Sequence, residues 1–169
     1  MRKTFVSLVI ALVLVAVMAV PVMAAEDSKP ASVTVNEYIS FTVTDPGAAG
    51  INFGSLDPST PDSPEVAQTT TTGAVTLSVA AETNVDCNIQ TKGSGDFTAG
   101  THTIPLGNAK WDKDNDVTGA TSMTTTYTTI DTSTAGTAKA VHVWHWLTIP
   151  SGQEAGDYTT DFYYQAIKQ

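Results

Sequence analysis

From Val141 to Ile149 the apolar side chains recur at every second position, the period of a strand with one face in a core. Val141, Val143, His145, Leu147 and Ile149 share one face, and His142, Trp144, Trp146 and Thr148 share the other. Pro150-Ser151-Gly152 stops the run and Ala155-Gly156 makes the return. Asp157 to Ile167 then alternates again, setting Tyr158, Thr160, Phe162, Tyr164 and Ala166 against Thr159, Asp161, Tyr163, Gln165 and Ile167. A helix needs a period of 3.6, and nothing after residue 24 shows one.

The same period organises the rest of the chain. Ser32 to Val43 reads as a long strand, with Val33, Val35, Ile39, Phe41 and Val43 on one face and Glu37 interrupting. Asp45-Pro46-Gly47 predicts a turn, and the Pro-rich stretch from Asp57 to Pro64 a loop. Val75, Leu77 and Val79 point inward from a strand over Ala74 to Ala80. Asn84 to Thr91 alternates next, and Ala81-Glu82-Thr83 is expected to join the two as a hairpin. His102 to Leu106 carries Pro105 and so reads as an edge strand, and Met123 to Ile130 as a Thr-rich one. About eight strands joined by Gly and Pro turns predict an all-β antiparallel sandwich, Ig-like or jelly-roll-like, in mixed Greek-key order.

Ahead of this region, Arg2 and Lys3 precede an apolar run from Phe5 to Val20. Pro21 breaks it, and Val22-Met23-Ala24 places small residues where a signal peptidase reads. Residues 1–24 are therefore expected to be a secretory signal peptide. An uncleaved membrane anchor is the competing reading. A type IV pilin leader fits poorly, because Thr4-Phe5-Val6 stands where that cut wants Gly or Ala. A short polar leader at 25–31 and one sandwich domain at 32–169 follow. No later segment supplies the roughly 20 apolar residues of a membrane span, and the end of the chain, Ala166-Ile167-Lys168-Gln169, shows no sorting motif or tail helix. Retention at a surface is then expected to come from assembly or from binding another surface component.

Without Arg2 and Lys3 the charge falls from −9 to −11, and no arginine is left. Phosphate recognition leans on arginine forks and basic patches, so nucleic acid and polybasic membrane contacts are excluded as partners. Cys87 is the sole cysteine, so no intrachain disulfide forms; it falls on the inward side with Val85 and Ile89.

Asp112, Asp114 and Asp116 place carboxylates at the alternate positions that open a calcium loop. Val117 replaces the glycine of an EF-hand and Met123 its bidentate glutamate, so a calcium site here would be of another kind, and a solvated turn is the alternative. No other cofactor is expected. His142 and His145, three apart on a strand, face opposite sides and cannot share a metal. Trp144 and Trp146 share a face: exposed, they would form a stacking platform for glycan rings or an interface; inward, they would be packing.

No nucleophile elbow, HExxH, Walker loop or Gly-rich cofactor motif occurs, and glutamates are few and placed at expected strand edges or turns. No enzymatic activity is expected. The threonine runs Thr69–Thr72 and Thr124–Thr126 suit wet sheet faces, with O-glycosylation the alternative.

The segment from Leu147 through Pro150-Ser151-Gly152 to Ala155-Gly156-Asp157-Tyr158-Thr159-Thr160 resembles the closing hairpin of exported β-sandwich surface proteins of bacteria and archaea. Asp45 to Pro58, with Ile51-Asn52-Phe53-Gly54-Ser55-Leu56, resembles their beginning. The families to compare are the TasA-like and bundling-pilus subunits, and the resemblance implies filaments built by donor-strand exchange. Ser32 to Val43 would be the donor, with Val35, Ile39, Phe41 and Val43 as its interface residues. The expected function is thus a secreted, extracellular structural protein of the cell surface, self-associating or bound to another surface protein. A carbohydrate-binding or calcium-dependent adhesion module is the competing class.

Overall fold

The computed structural model describes residues 28–45 and 50–169. The expected signal peptide at 1–24 lies outside them, as do the first residues of the leader and Pro46-Gly47. The chain separates into two units, residues 1–34 and 35–169. In the first, residues 28–34 belong to no strand and are exposed.

The second unit is all-β. In chain order its strands are β1 (Phe41–Thr44), β2 (Ser63–Pro64), β3 (Val75–Val79), β4 (Cys87–Gly93), β5 (Phe97–Ala99), β6 (His102–Ile104), β7 (Ala109–Asp112), β8 (Thr121–Ser122), β9 (Thr128–Ser133), β10 (Lys139–Leu147) and β11 (Phe162–Lys168). A 3-10 turn covers Leu106–Asn108, and no described residue is in an α-helix. No helix among the described residues is long and apolar enough to cross a membrane.

Every ladder is antiparallel. One sheet runs β1-β3-β10-β7-β8, with β2 also beside β10; the other runs β11-β4-β9; β5 and β6 form a separate ribbon. The alternation seen in the sequence becomes the core between the layers. Val75, Leu77 and Val79 project from β3, Cys87 and Ile89 from β4, and Val141, Val143 and Leu147 from β10, all buried. Each such side chain contributes on the order of 1.5–3 kcal/mol when fully buried. Phe162, Tyr164 and Ala166 of β11 pack against this core, as their parity requires, and leave Tyr163 and Ile167 exposed.

Two expected hairpins are crossings between the sheets. The link after β3 leads to β4 in the opposite layer, and the link after β10 leads to β11, which pairs with β4. A tight hairpin holds two to five residues. The stretches 80–86 and 148–161 are longer than that, and they carry the chain across the core.

Two strand boundaries also differ from expectation, and some strands are additional. Of the Ser32 to Val43 run only the last three residues are in a strand, β1 (Phe41–Thr44). Met123 to Ile130 contributes just the start of β9, because Thr124 and Gly93 are joined by a single backbone bond (2.8 Å) where a ladder was expected. β7, with Ala109 and Trp111 inward, is additional.

One side of β10 is completed by an unusual local arrangement. β3 pairs with it up to Val143, and β2 pairs with Trp146 and Leu147. Between them the Glu65 N–H donates to the His145 carbonyl (3.1 Å), and the His145 N–H donates to Gln68 Oε1 (2.9 Å). The chain returns to β3 through Gly73, at φ +62°, where an added Cβ would lie 2.5 Å from the Val143 carbonyl oxygen. Only glycine fits both demands.

Candidate functional site

The candidate site is built from the strand edges of this β-sandwich and the segment that enters it. That segment is tied down from Asn36 onward. The Asn84 side chain works as a clamp: its Oδ1 accepts from the Tyr38 N–H (2.7 Å) and its Nδ2 donates to the Asn36 carbonyl (2.8 Å). The Asn84 N–H donates to the Tyr38 carbonyl (3.0 Å), the Ser40 N–H to Thr83 Oγ1 (3.0 Å), and the Ala80 N–H to the Ser40 carbonyl (3.0 Å). Glu37 pairs with Lys168. β1 then pairs with β3, Phe41 opposite Val79 and Val43 opposite Leu77.

The four expected donor residues therefore divide. Ile39 and Phe41 are half-buried against the core of their own chain, while Val43 is 45% and Val35 75% exposed. Val33, two positions further out, is 87% exposed. Alternate β-branched residues in a segment without strand pairing resemble a strand without a sheet.

Sheet edges with unused hydrogen-bonding groups lie elsewhere in the same molecule. β11 pairs on one side only, with β4. The Ser94 N–H donates to the Asp161 carbonyl (2.8 Å) and the Gln169 N–H to the Asp86 carbonyl (3.0 Å), so the odd-numbered residues of this register face β4. Antiparallel pairing alternates, and the N–H and C=O groups of Phe162, Tyr164 and Ala166 consequently point away from it. Tyr163 and Ile167, 43% and 48% exposed, flank that edge on the outer face. The opposite edge of this sheet, β9, is different: Asp131 on it pairs with Lys139 (3.1 Å) and approaches Lys113 (4.0 Å), and β9 meets β4 with a bulge. Charges and bulges discourage strand addition. β11 runs without a bulge, and its one charged residue, Lys168, lies at the end of the strand, paired with Glu37.

The expected calcium ligands do not converge. Asp112 Oδ1 accepts from the N–H groups of Asp114 (2.5 Å) and Asp116 (3.3 Å), and Asp116 Oδ1 from that of Thr118 (2.9 Å). The carboxylates of Asp112 and Asp116 shape their own turn, helped by Asn115 at φ +56°. Among the described residues no three His, Cys, Asp or Glu side chains are grouped to hold a metal.

Trp144 and Trp146 are each only 6% exposed. Residues 63–72 fold back over this face, and Trp144 Nε1 donates to the Thr69 carbonyl (2.5 Å). The ring faces expected to stack on glycan are thus covered. Among the threonines, Thr69 Oγ1 bonds with Thr72 Oγ1 (2.6 Å), which closes that run into a turn.

The two histidines do face opposite sides. His142 Nδ1 meets Thr76 Oγ1 (3.0 Å), while His145 lies between the sheets with no exposed surface. His145 Nε2 is 2.9 Å from the Tyr164 hydroxyl, linking β10 to β11, and its ring stacks on Phe162 at 5.5 Å. Burial without a countercharge pushes its pKa down to about 3. The same burial raises the Tyr164 hydroxyl well above its ordinary range, with Asp45 adding to it. At neutral pH both are uncharged, and the pair is a neutral bridge between the layers. Cys87 is a buried free thiol whose pKa is raised by burial, then by Asp86.

No protein-family model and no curated protein matches the chain.

Two features were missed in the sequence. The unpaired edge of β11 has a signal only in hindsight, Tyr163 and Ile167 on the parity opposite to the core. Glu65, one of the few glutamates, most of which are expected at strand edges or turns, is 3% exposed. Burial there comes from the fold-back of residues 63–72, which no local pattern announces.

Proposed function

We propose that this chain is an exported, non-enzymatic structural subunit that self-associates at a cell surface by strand addition. Residues 30–35 of one copy pair with the β11 edge of the next. The observation that carries this reading is the coexistence of two incomplete parts: an exposed arm with Val33 and Val35 in strand-like alternation, and a seven-residue edge strand whose outward groups have no partner among the described residues. Pairing would satisfy those groups and bury alternate side chains beside Tyr163 and Ile167, which is how β-augmentation gains affinity. The donated stretch is shorter than Ser32 to Val43, because Asn36 onward is engaged within its own chain.

An adhesion module that stacks sugars on Trp144 and Trp146 is not favoured, since both rings are covered. The test compares a chain beginning at Ala25 with one beginning at Asn36, by light scattering and negative-stain microscopy. The longer chain should form linear polymers and the shorter one should stay monomeric. Filaments from the shorter chain, or none from the longer, would rule the reading out.

A further inference from the structure

The fold-back that covers Trp144 leaves a pocket of about 430 Å³ on its outer side. Phe53, Pro64, Val66 and Trp144 supply apolar wall, and Gln68 and Asn115 supply amides. Glu65 also lines it. The Glu65 side chain is 97% removed from solvent by its 3% exposure; Oε1 accepts from the Asn52 N–H (3.3 Å), and Oε2 has no hydrogen-bond partner. No lysine or histidine is among the lining residues. A carboxylate oxygen kept from water and left unpaired is costly, and Glu65 is the lining residue whose side chain keeps such an unpartnered atom.

We propose that this pocket binds an alkylammonium group. A primary ammonium brings three N–H donors and a full positive charge to Glu65, and its aliphatic stem suits Phe53, Val66 and Trp144. The terminal torsion of a glutamate is broad, so the carboxylate can turn an oxygen toward an ammonium seated at the pocket floor. Asn115 offers a further acceptor at the rim, and its neighbours Asp114 and Asp116, both exposed, give the entrance a negative field. A divalent metal ion fits less well, because hard cations want six or more oxygens and several carboxylates, whereas Glu65 is the only carboxylate in the lining. A neutral sugar would supply a hydrogen bond but leave the charge uncompensated.

The ammonium could come from a free amine or from a lysine side chain of another protein, and the two sources share this chemistry. Protein-observed NMR titrations with butylammonium, with Nα-acetyl-lysine methylamide, and with butanol as the uncharged match distinguish them. Both cations should shift the Trp144 indole and Gln68 amide signals, and butanol should not. Tighter binding of the lysine amide assigns the group to a protein lysine, and tighter binding of butylammonium to a free amine. Glu65→Gln keeps the shape and the acceptor for Asn52, and it should weaken binding about tenfold or more. Val66→Lys, at a residue 67% exposed, should block the site without disturbing the core. The proposal is overturned if neither cation shifts these signals, if Glu65→Gln binds as tightly as the unaltered chain, or if calcium displaces butylammonium at equal concentration.

Discussion

On acidification this fold should weaken first through His145. Its side chain has no contact with solvent, stacks on Phe162, and has only the neutral Tyr164 hydroxyl within hydrogen-bond reach, so a proton on it would be an uncompensated charge between the sheets. The folded pKa is about 3 against 6.5 for the free side chain. The unfolded chain therefore takes up a proton at 6.5 that the folded chain refuses until about 3. Stability is complete above pH 6.5 and declines as the pH falls through that window. At 1.36 kcal/mol per pH unit the whole interval amounts to about 5 kcal/mol, of which about 2 is lost by pH 5. That is a large share of the roughly 5–15 kcal/mol typical of a domain. Asp62 and Asp131 act in the same direction but lower down. The Lys110 side chain, through a hydrogen bond, holds Asp62 below the usual range. Asp131 is held below it by the Thr132 N–H and Lys139 against the opposing effect of burial. Their contribution disappears only below about pH 4, so pH 5 isolates the histidine. Urea unfolding followed by tryptophan fluorescence at pH 7.5 and pH 5 gives the stability difference, and NMR of the imidazole ring reads its protonation directly. The expected results are a loss of about 2 kcal/mol and a His145 ring that stays neutral at pH 5. A ring that titrates near 6.5 in the folded protein would refute the reasoning.

Two substitutions probe the architecture itself. Gly73→Ala combines a positive φ with a Cβ placed against the Val143 carbonyl, and should lower stability by about 2 kcal/mol or more in denaturant melts; a change within experimental scatter would mean that the backbone there yields freely. Asn84→Ala removes both side-chain bonds that fix Asn36 and Tyr38, and should cost about 1 kcal/mol while raising amide exchange from Asn36 to Ser40 and leaving β3 and β10 protected.

How far these features can be read from the chain depends on whether local pattern or distant packing creates them. β3, β4 and the inward face of β10 were legible because a strand with one buried face must alternate, and Val75, Leu77, Val79 and Val141, Val143, Leu147 do so cleanly. The partner of each strand was not legible. Ala81-Glu82-Thr83 has the composition of a hairpin turn, and only the position of β4 in the other layer makes it a crossing. Trp144 and Trp146 alternate with the core residues just as exposed side chains would, yet both are buried, Trp144 against the segment that carries Thr69. The arm shows the converse: Ser32 to Val43 has one continuous alternation, but the clamp at Asn84 and the ladder to β3 hold only its second half. Glu65 carries no sequence signal at all, since one glutamate between Pro64 and Val66 reads as a loop.

Complementation between two defective chains tests strand addition most directly. A chain beginning at Asn36 keeps the β11 edge and lacks the arm. The Ala166→Pro chain keeps the arm and loses an edge N–H that faces away from β4, which an edge strand tolerates while its ladder to β4 persists. Each chain alone should remain monomeric. An equimolar mixture, measured by light scattering, should contain heterodimers and nothing larger, because one arm and one edge are left to meet. A mixture that stays monomeric, or an Ala166→Pro chain that polymerises alone, would contradict strand addition at β11.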